Sequence, residues 1–384
     1  MPSRFLTQCI VVAITLLALP ACAGTQAGNA LQRAMDRLVE HPEGPPGAIV
    51  VVQRGSQLHV YRAGVSNVVT SAPMHPSEHM RIASTSKAYS GGTALSLVDA
   101  GLLSLDDTIA KLLPWAPDAW GEVTLSQALH HASGLPDFSA DQAFQDYVVA
   151  HLEDPVGPRR LLGFVADEDL EFDAGTQYRY SNSDNVVVAL MVLAVTGRRY
   201  ERVLHHEVSD RLDLNDTSLP HGVEMPPPYI RGYDFDDAGE PEDVSELIAA
   251  GYAWASGGMV STAFDQNRFI RGYVGGQLFG PSTQARQFDF FPGGKSEPPG
   301  PGLNAAGLAI FRYATRCGTM YGHTGNISGY TQFFAASLDG SRSTVVSINA
   351  QASPELRPEV FEDLRQVFLL SVCATKAIAT SDRT

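Results

Sequence analysis

Two β-hairpin patterns, one near each end of the chain, constrain this sequence more than any other feature. "ALQRAMDRLVE" (30–40) spaces its apolar residues at helical intervals and leads into "GAIVVVQRGSQLHVYRAG" (47–64), two β-rich runs around a Gly-bearing turn. Far downstream, "GYTQFFAASLDGSRSTVVSINA" (329–350) repeats the hairpin around Asp339-Gly340, and residues 355–370 then carry the apolar spacing of a closing helix. The two ends therefore build one antiparallel sheet flanked by an N-terminal and a C-terminal helix. The middle of the chain is an insertion between them.

The insertion has a different pattern. "GGTALSLVDAGLLSLDDTIAKLL" (91–113) and "SNSDNVVVALMVLAVTG" (181–197) read as helices separated by Gly- and Pro-bearing loops, which predicts a mostly helical subdomain over about 80–250 and an α+β fold class. Two further segments, "HGVEMPPPYIRGYDFDDAGEPED" (221–243) and "FPGGKSEPPGPG" (291–302), read as long loops of the kind that connect elements or rim a cleft. With 384 residues the chain suits one large domain over 24–384 rather than two independent cores.

No charge lies between Arg4 and Arg33, and "CIVVAITLLALPACA" (9–23) is an apolar run ending in small residues, the pattern of an export signal over 1–23. It falls short of the roughly 18 apolar residues of a membrane span. "ACA" (21–23) suits ordinary cleavage, whereas "LPAC" resembles a lipoprotein box that would leave a lipid anchor at Cys22. Both stay open, and either gives a secreted or extracytoplasmic protein whose sole link to a membrane is that anchor. Beyond the leader, Cys317 and Cys373 are the only cysteines, and an oxidising compartment favours a disulfide between them over two buried thiols. A formal net charge of −15 without a basic run excludes a nucleic-acid partner.

In "RIASTSK" (81–87) a hydroxyl stands three residues ahead of an amine. On a helix beginning near Ser84 this spacing puts Ser84 and Lys87 on one face, and a lysine whose ammonium is destabilised can take the serine's proton. S-x-x-K alone is common. It gains meaning from "YSN" (180–182), which follows the turn-like "DAGTQYR" and precedes an apolar helical run, and from "GHTG" (322–325), which opens the C-terminal hairpin. His130 and His131 are adjacent and lack a metal-ligand spacing, so they read as structural loop residues. The sequence contains no G-x-S-x-G, P-loop or dinucleotide glycine fingerprint, and neither a metal nor a cofactor is expected.

In this order and at these separations the three motifs resemble those of the penicillin-recognising serine enzymes, which include DD-peptidases, class C β-lactamases and related esterases. "HHASGL" (130–135) and "SGGMVST" (256–262) support the resemblance, which runs from about Gly47 to Cys373. It looks most like the secreted D-alanyl-D-alanine carboxypeptidases with an H-T-G third motif, some of which carry a cysteine before that motif and another near the C-terminus. The resemblance implies a β-lactamase/transpeptidase-like fold and an acyl-enzyme mechanism, and a monomer is expected. Ser84 would be the nucleophile, Lys87 its proton acceptor and Tyr180 the relay to the leaving amine. Asn182 would hold a substrate amide, and His323 and Thr324 would line the cleft. The backbone N–H groups of Ser84 and Asn326 would form the oxyanion hole. With an unperturbed pKa of about 6.5, His323 in the place of the lysine common in this motif would supply a titratable charge.

Such carboxypeptidases carry an arginine ahead of the third motif that grips the peptide's terminal carboxylate. Counting back from Cys317 puts Phe311 there, with Arg312 next to it as the candidate substrate-binding cation, although adjacent strand residues point to opposite faces. Three functions follow. The first is an exported carboxypeptidase acting on cell-wall D-Ala-D-Ala peptides. The second is an esterase, β-lactamase or D-amino-acid amidase with the same acyl-enzyme chemistry, motivated by the missing arginine. The third is a binding protein that captures a β-lactam or wall peptide without turnover, against which the complete proton-transfer set argues. The expected partner is a small peptide, ester or β-lactam.

Overall fold

The computed structural model describes residues 21–377 apart from 155 and 237. The expected export segment lies outside these residues except for its last three positions, where helix α1 (Ala21–Glu40) begins. In chain order the strands are β1 (Gly47–Arg54), β2 (Gln57–Asn67), β3 (Ala72–Pro73), β4 (His79–Arg81), β5 (Tyr233–Phe235), β6 (Pro241–Asp243), β7 (Val260–Thr262), β8 (Leu303–Gly307), β9 (Ile310–Thr315), β10 (Gly318–Ile327), β11 (Tyr330–Ala336) and β12 (Arg342–Ile348). Eight of them form one sheet in the order β3-β2-β1-β12-β11-β10-β9-β8, and every neighbouring pair is antiparallel. The strands of the two ends thus meet at β1 and β12, where Val50 pairs with Val346.

Strand alternation divides the core into two. Val50, Val52, Phe333 and Val346 face α1 and the C-terminal helix Pro358–Ala377, packing with Leu31, Met35, Leu364 and Phe368. Ile49, Val51, Phe334 and Val345 face the other way, into the helical region. Burial on both faces explains why β1 reads "AIVVV" without polar interruption. A disulfide between Cys317 and Cys373 joins the β9–β10 turn to the C-terminal helix.

The helical region is built round α2 (Ser86–Asp99), which is buried on all sides. Small residues permit that crowding: a Cβ at Gly91 would stand 2.2 Å from the Ala309 side chain. The helix expected to run to residue 113 ends at Asp99, because Gly101 takes φ +71°. Gly101 N–H then bonds Val98 O, and Leu102 N–H bonds Leu97 O, closing the last turn in a Schellman motif. A second buried helix, Asn182–Thr196, also ends on a left-handed glycine, Gly197. Helices continue past residue 250, with Trp254–Gly257, Ala263–Val274 and Pro281–Gln287. No helix among the described residues is long and apolar enough to cross a membrane.

Candidate active site

The site forms where the N-terminus of α2 meets β10. Ser84 lies in a short 3₁₀ turn, Ala83–Thr85, that runs directly into α2. Ala83 has φ +50°, a left-handed conformation costly for a residue with a Cβ, and Ser86 Oγ holds it by donating to Ala83 O at 2.7 Å. β10 crosses this turn at backbone contact: a Cβ on Gly325 would stand 2.8 Å from Ser84 N, so only glycine allows the approach. From His323 onward β10 has run past its pairing with β9, which ends at Gly322–Phe311, and its free side faces the turn.

One turn along α2, Lys87 is fully buried. Its Nζ donates to Ser84 Oγ at 3.1 Å, Asn182 Oδ1 at 2.7 Å and Ser256 O at 2.7 Å. Burial pushes the Lys87 ammonium down to about 7, against the carboxylates of Asp137, Asp184 and Glu297. A substantial share of the amine is therefore unprotonated at neutral pH and able to accept the Ser84 proton. Asn182 is fixed in turn, its Nδ2 donating to Ser139 Oγ at 2.8 Å and Asp137 Oδ2 at 3.2 Å.

The Tyr180 ring lies 4.9 Å from Lys87 Nζ. Burial holds its phenol well above 10, against a smaller lowering by the nearby Ser84 hydroxyl, so it stays protonated. The phenol oxygen is buried and makes no hydrogen bond of normal geometry. Lys87 is thus the group able to act as base, and Tyr180 a proton donor.

Three further rings gather beside them. Tyr180 packs on His131 at 4.4 Å and on His323 at 6.4 Å, and Phe311 meets His323 at 4.9 Å and His131 at 6.5 Å between centroids. His323 departs from the titrating cation expected of it. It is wholly buried, and burial, helped by Lys87, holds its pKa well below 6.5, so the imidazole is neutral. Nδ1 donates to Thr324 O at 2.5 Å, leaving Nε2 as an unpartnered acceptor. The Thr324 hydroxyl donates to Pro298 O at 2.6 Å, tying the 291–302 loop to β10. Arg312 is exposed and lies over the Phe290 ring at 4.7 Å, and no contact joins it to Ser84, Lys87, Tyr180 or His323 among the described residues.

Ser84, Asn182, Ser256 and Asn326 open onto a cavity of about 310 Å³. Its far walls are apolar: Phe138, Phe144 and Val148 from one side, Val244, Ile248 and Tyr252 from the other. The second set follows directly on the 221–243 loop, none of whose residues lines the cavity. Arg81 is the single basic side chain in this lining, and its guanidinium is committed to Ser245 O at 3.1 Å and Val223 O at 2.8 Å.

Sequence reasoning missed His131. His130 bridges Ser126 O and Asp289 O, as suits a loop residue, but His131 lies against Tyr180 with Nδ1 2.8 Å from Asp184 Oδ2. The Gly-bearing setting of "HHASGL" was the available signal, and the partners that give it meaning lie some fifty residues away. No cluster of potential metal ligands occurs among the described residues.

Comparison with known proteins bears on the fold and family. A D-stereospecific amidohydrolase from a Streptomyces species superposes with a TM-score of 0.75 at 25% identity, covering 87% of this chain and 97% of that one. A D-aminopeptidase of Gluconobacter oxydans is 26% identical over 53% of this chain, and Protein flp of Staphylococcus aureus 26% identical over 51%. Those matches span only 38% and 40% of the two relatives' own lengths. The family profile described as Beta-lactamase matches residues 34–367, nearly the whole of the described chain, and the protein belongs to that family.

Proposed function

We propose that the protein is an acyl-enzyme serine hydrolase acting on an amide or ester with an apolar acyl group and a leaving group that bears no carboxylate. Ser84 Oγ attacks the carbonyl as its proton passes to the neutral Lys87 amine, and the carbonyl oxygen becomes an oxyanion against the backbone N–H groups of Ser84 and Asn326. On collapse the C–N or C–O bond breaks. Tyr180 gives its proton to the departing group and regains one from Lys87. Water then attacks the acyl-Ser84 ester, with the same groups taking its proton.

The observation carrying the choice of substrate is the neutral lining round Tyr180: Phe311 and an uncharged His323 occupy the side on which a leaving group would be protonated. Neither of these two side chains offers a cation to a peptide ending in a carboxylate. The relatives named for D-amino-acid chemistry support an amidase or aminopeptidase over a D-Ala-D-Ala carboxypeptidase, the alternative that the H-T-G motif favours. The leader pattern supports export, and the mass of the mature N-terminus distinguishes cleavage after Ala23 from lipidation of Cys22.

Purified protein should be assayed with an aromatic D-amino-acid amide, the matching ester, a D-Ala-D-Ala-terminated peptide and a chromogenic cephalosporin. The expected result is a kcat/KM for the amide or ester exceeding that for the peptide by roughly tenfold or more, the scale of one lost charge contact. If the carboxylate-terminated peptide is the best substrate, the proposal is wrong and the carboxypeptidase reading replaces it.

A further inference from the structure

His131 and Asp184 have no part in the proton transfers above, yet both are buried beside the phenol that performs one of them, at 2% and 0% exposure. We infer that His131, fixed by Asp184 and Ser133, is the positioning residue that aims the Tyr180 phenol, so that its loss slows a substrate according to how much the leaving group needs a proton. The inference rests on the proton-donor role proposed for Tyr180.

The contacts form a clamp. The His131 carbonyl accepts the Arg179 N–H at 2.8 Å, and its Nδ1 meets the Ser181 N–H at 3.4 Å. Nδ1 is taken by Asp184 at the shorter distance, so the residue before Tyr180 is hydrogen-bonded to His131 and the residue after it lies against the imidazole. Its ring covers the ring between them, 4.4 Å away and tilted by 31°. The imidazole is itself held, with Asp184 Oδ2 2.8 Å from Nδ1 and the Ser133 hydroxyl donating to the other carboxyl oxygen. Asp184 sits in the first turn of the helix that follows Tyr180, so the network joins the 130–135 loop to that helix and closes round the phenol. The phenol oxygen lies near the Ser84 hydroxyl without a hydrogen bond of normal geometry, so the clamp on its ring holds the direction in which it points. Burial pushes His131 down to about 3 and Asp184 upward, so the imidazole is not poised as a second base.

The backbone suggests the test variant. His131 has φ +55°, a region that asparagine tolerates better than most residues. His131→Asn suits that conformation and retains a polar group towards Asp184 while removing the ring, and Asp184→Asn is the second variant, carrying the same expectation should the first lose its thermal unfolding transition. Each is assayed on an amide and on the p-nitrophenyl ester of the same acyl group. An amine leaves only when protonated, whereas p-nitrophenolate leaves unassisted. The expected kcat/KM loss is roughly 10–100-fold on the amide and at least about tenfold smaller on the ester. Tyr180→Phe should give the same split, and combining it with His131→Asn should add nothing, since both act through one phenol. Equal losses on the two substrates, or additive losses in the double variant, overturn the inference. If Tyr180→Phe itself gives no split, the proton-donor role fails first and the inference with it.

Discussion

Lys87 and Tyr180 are both buried beside Ser84, and burial drives their proton affinities in opposite directions. Desolvation disfavours the charged form of each, so it lowers the ammonium to about 7 and raises the phenol well above 10, leaving the phenol neutral and a substantial share of the amine unprotonated near pH 7. The sign for activity follows. Below pH 7 Lys87 is protonated and cannot take the Ser84 proton, so kcat/KM should rise with pH through about 7 as a single proton is lost. His323, held well below its ordinary range by burial, should add no second ionisation to that limb. A pH profile of the wild type beside His323→Gln checks this: the limb should keep its position in the variant. A two-proton limb, or one that moves with the substitution, would show that the imidazole titrates in that range. The S-x-x-K spacing made the Ser84–Lys87 pair legible in the sequence, because an i,i+3 relation is local. The neutrality of His323 was not legible, since it depends on Phe311, Tyr180 and Lys87, which the fold brings together from distant positions.

At the level of elements, the two hairpins were readable because each carries its own turn and apolar pattern. Their pairing through β1 and β12 follows from the need to bury both faces of "AIVVV". The end of α2 was less visible. "DAGLL" continues the helical apolar spacing, and only the left-handed Gly101 stops it. Arg312 illustrates the same limit, for strand alternation warned that it was not an automatic substitute for Phe311, while its place over Phe290 depends on the loop at 288–291. The Cys317–Cys373 bond pins the C-terminal helix to the β9–β10 turn across 56 residues of sequence. Closing a loop of that length contributes about 4 kcal/mol by chain entropy. Reduction should therefore lower the melting temperature, and a Cys317→Ser/Cys373→Ser protein should melt lower with no further response to reductant. Equal melting temperatures with and without the bond would mean that α1 and the sheet hold that helix unaided.

Across the whole molecule, the sheet and the helical region would each supply part of the proposed chemistry. The helical region provides Ser84, Lys87, Tyr180 and Asn182, and the sheet provides β10, whose Gly325 lets the backbone of Asn326 reach the Ser84 turn. Neither half holds a complete site. The cavity is lined by Ser84 together with apolar side chains, an arrangement suited to an acyl group that stays attached while its partner departs. The central claim is that Ser84 carries that acyl group. Intact-mass and peptide-level mass spectrometry after incubation with a slowly hydrolysed β-lactam or an aromatic acyl ester tests it directly. One acyl mass per chain is expected, located on the peptide containing Ser84 and absent from Ser84→Ala, with Lys87→Met slowing its appearance by roughly 100-fold or more. An adduct on Ser133, Ser181 or Ser256, or turnover that survives in Ser84→Ala, would contradict the account.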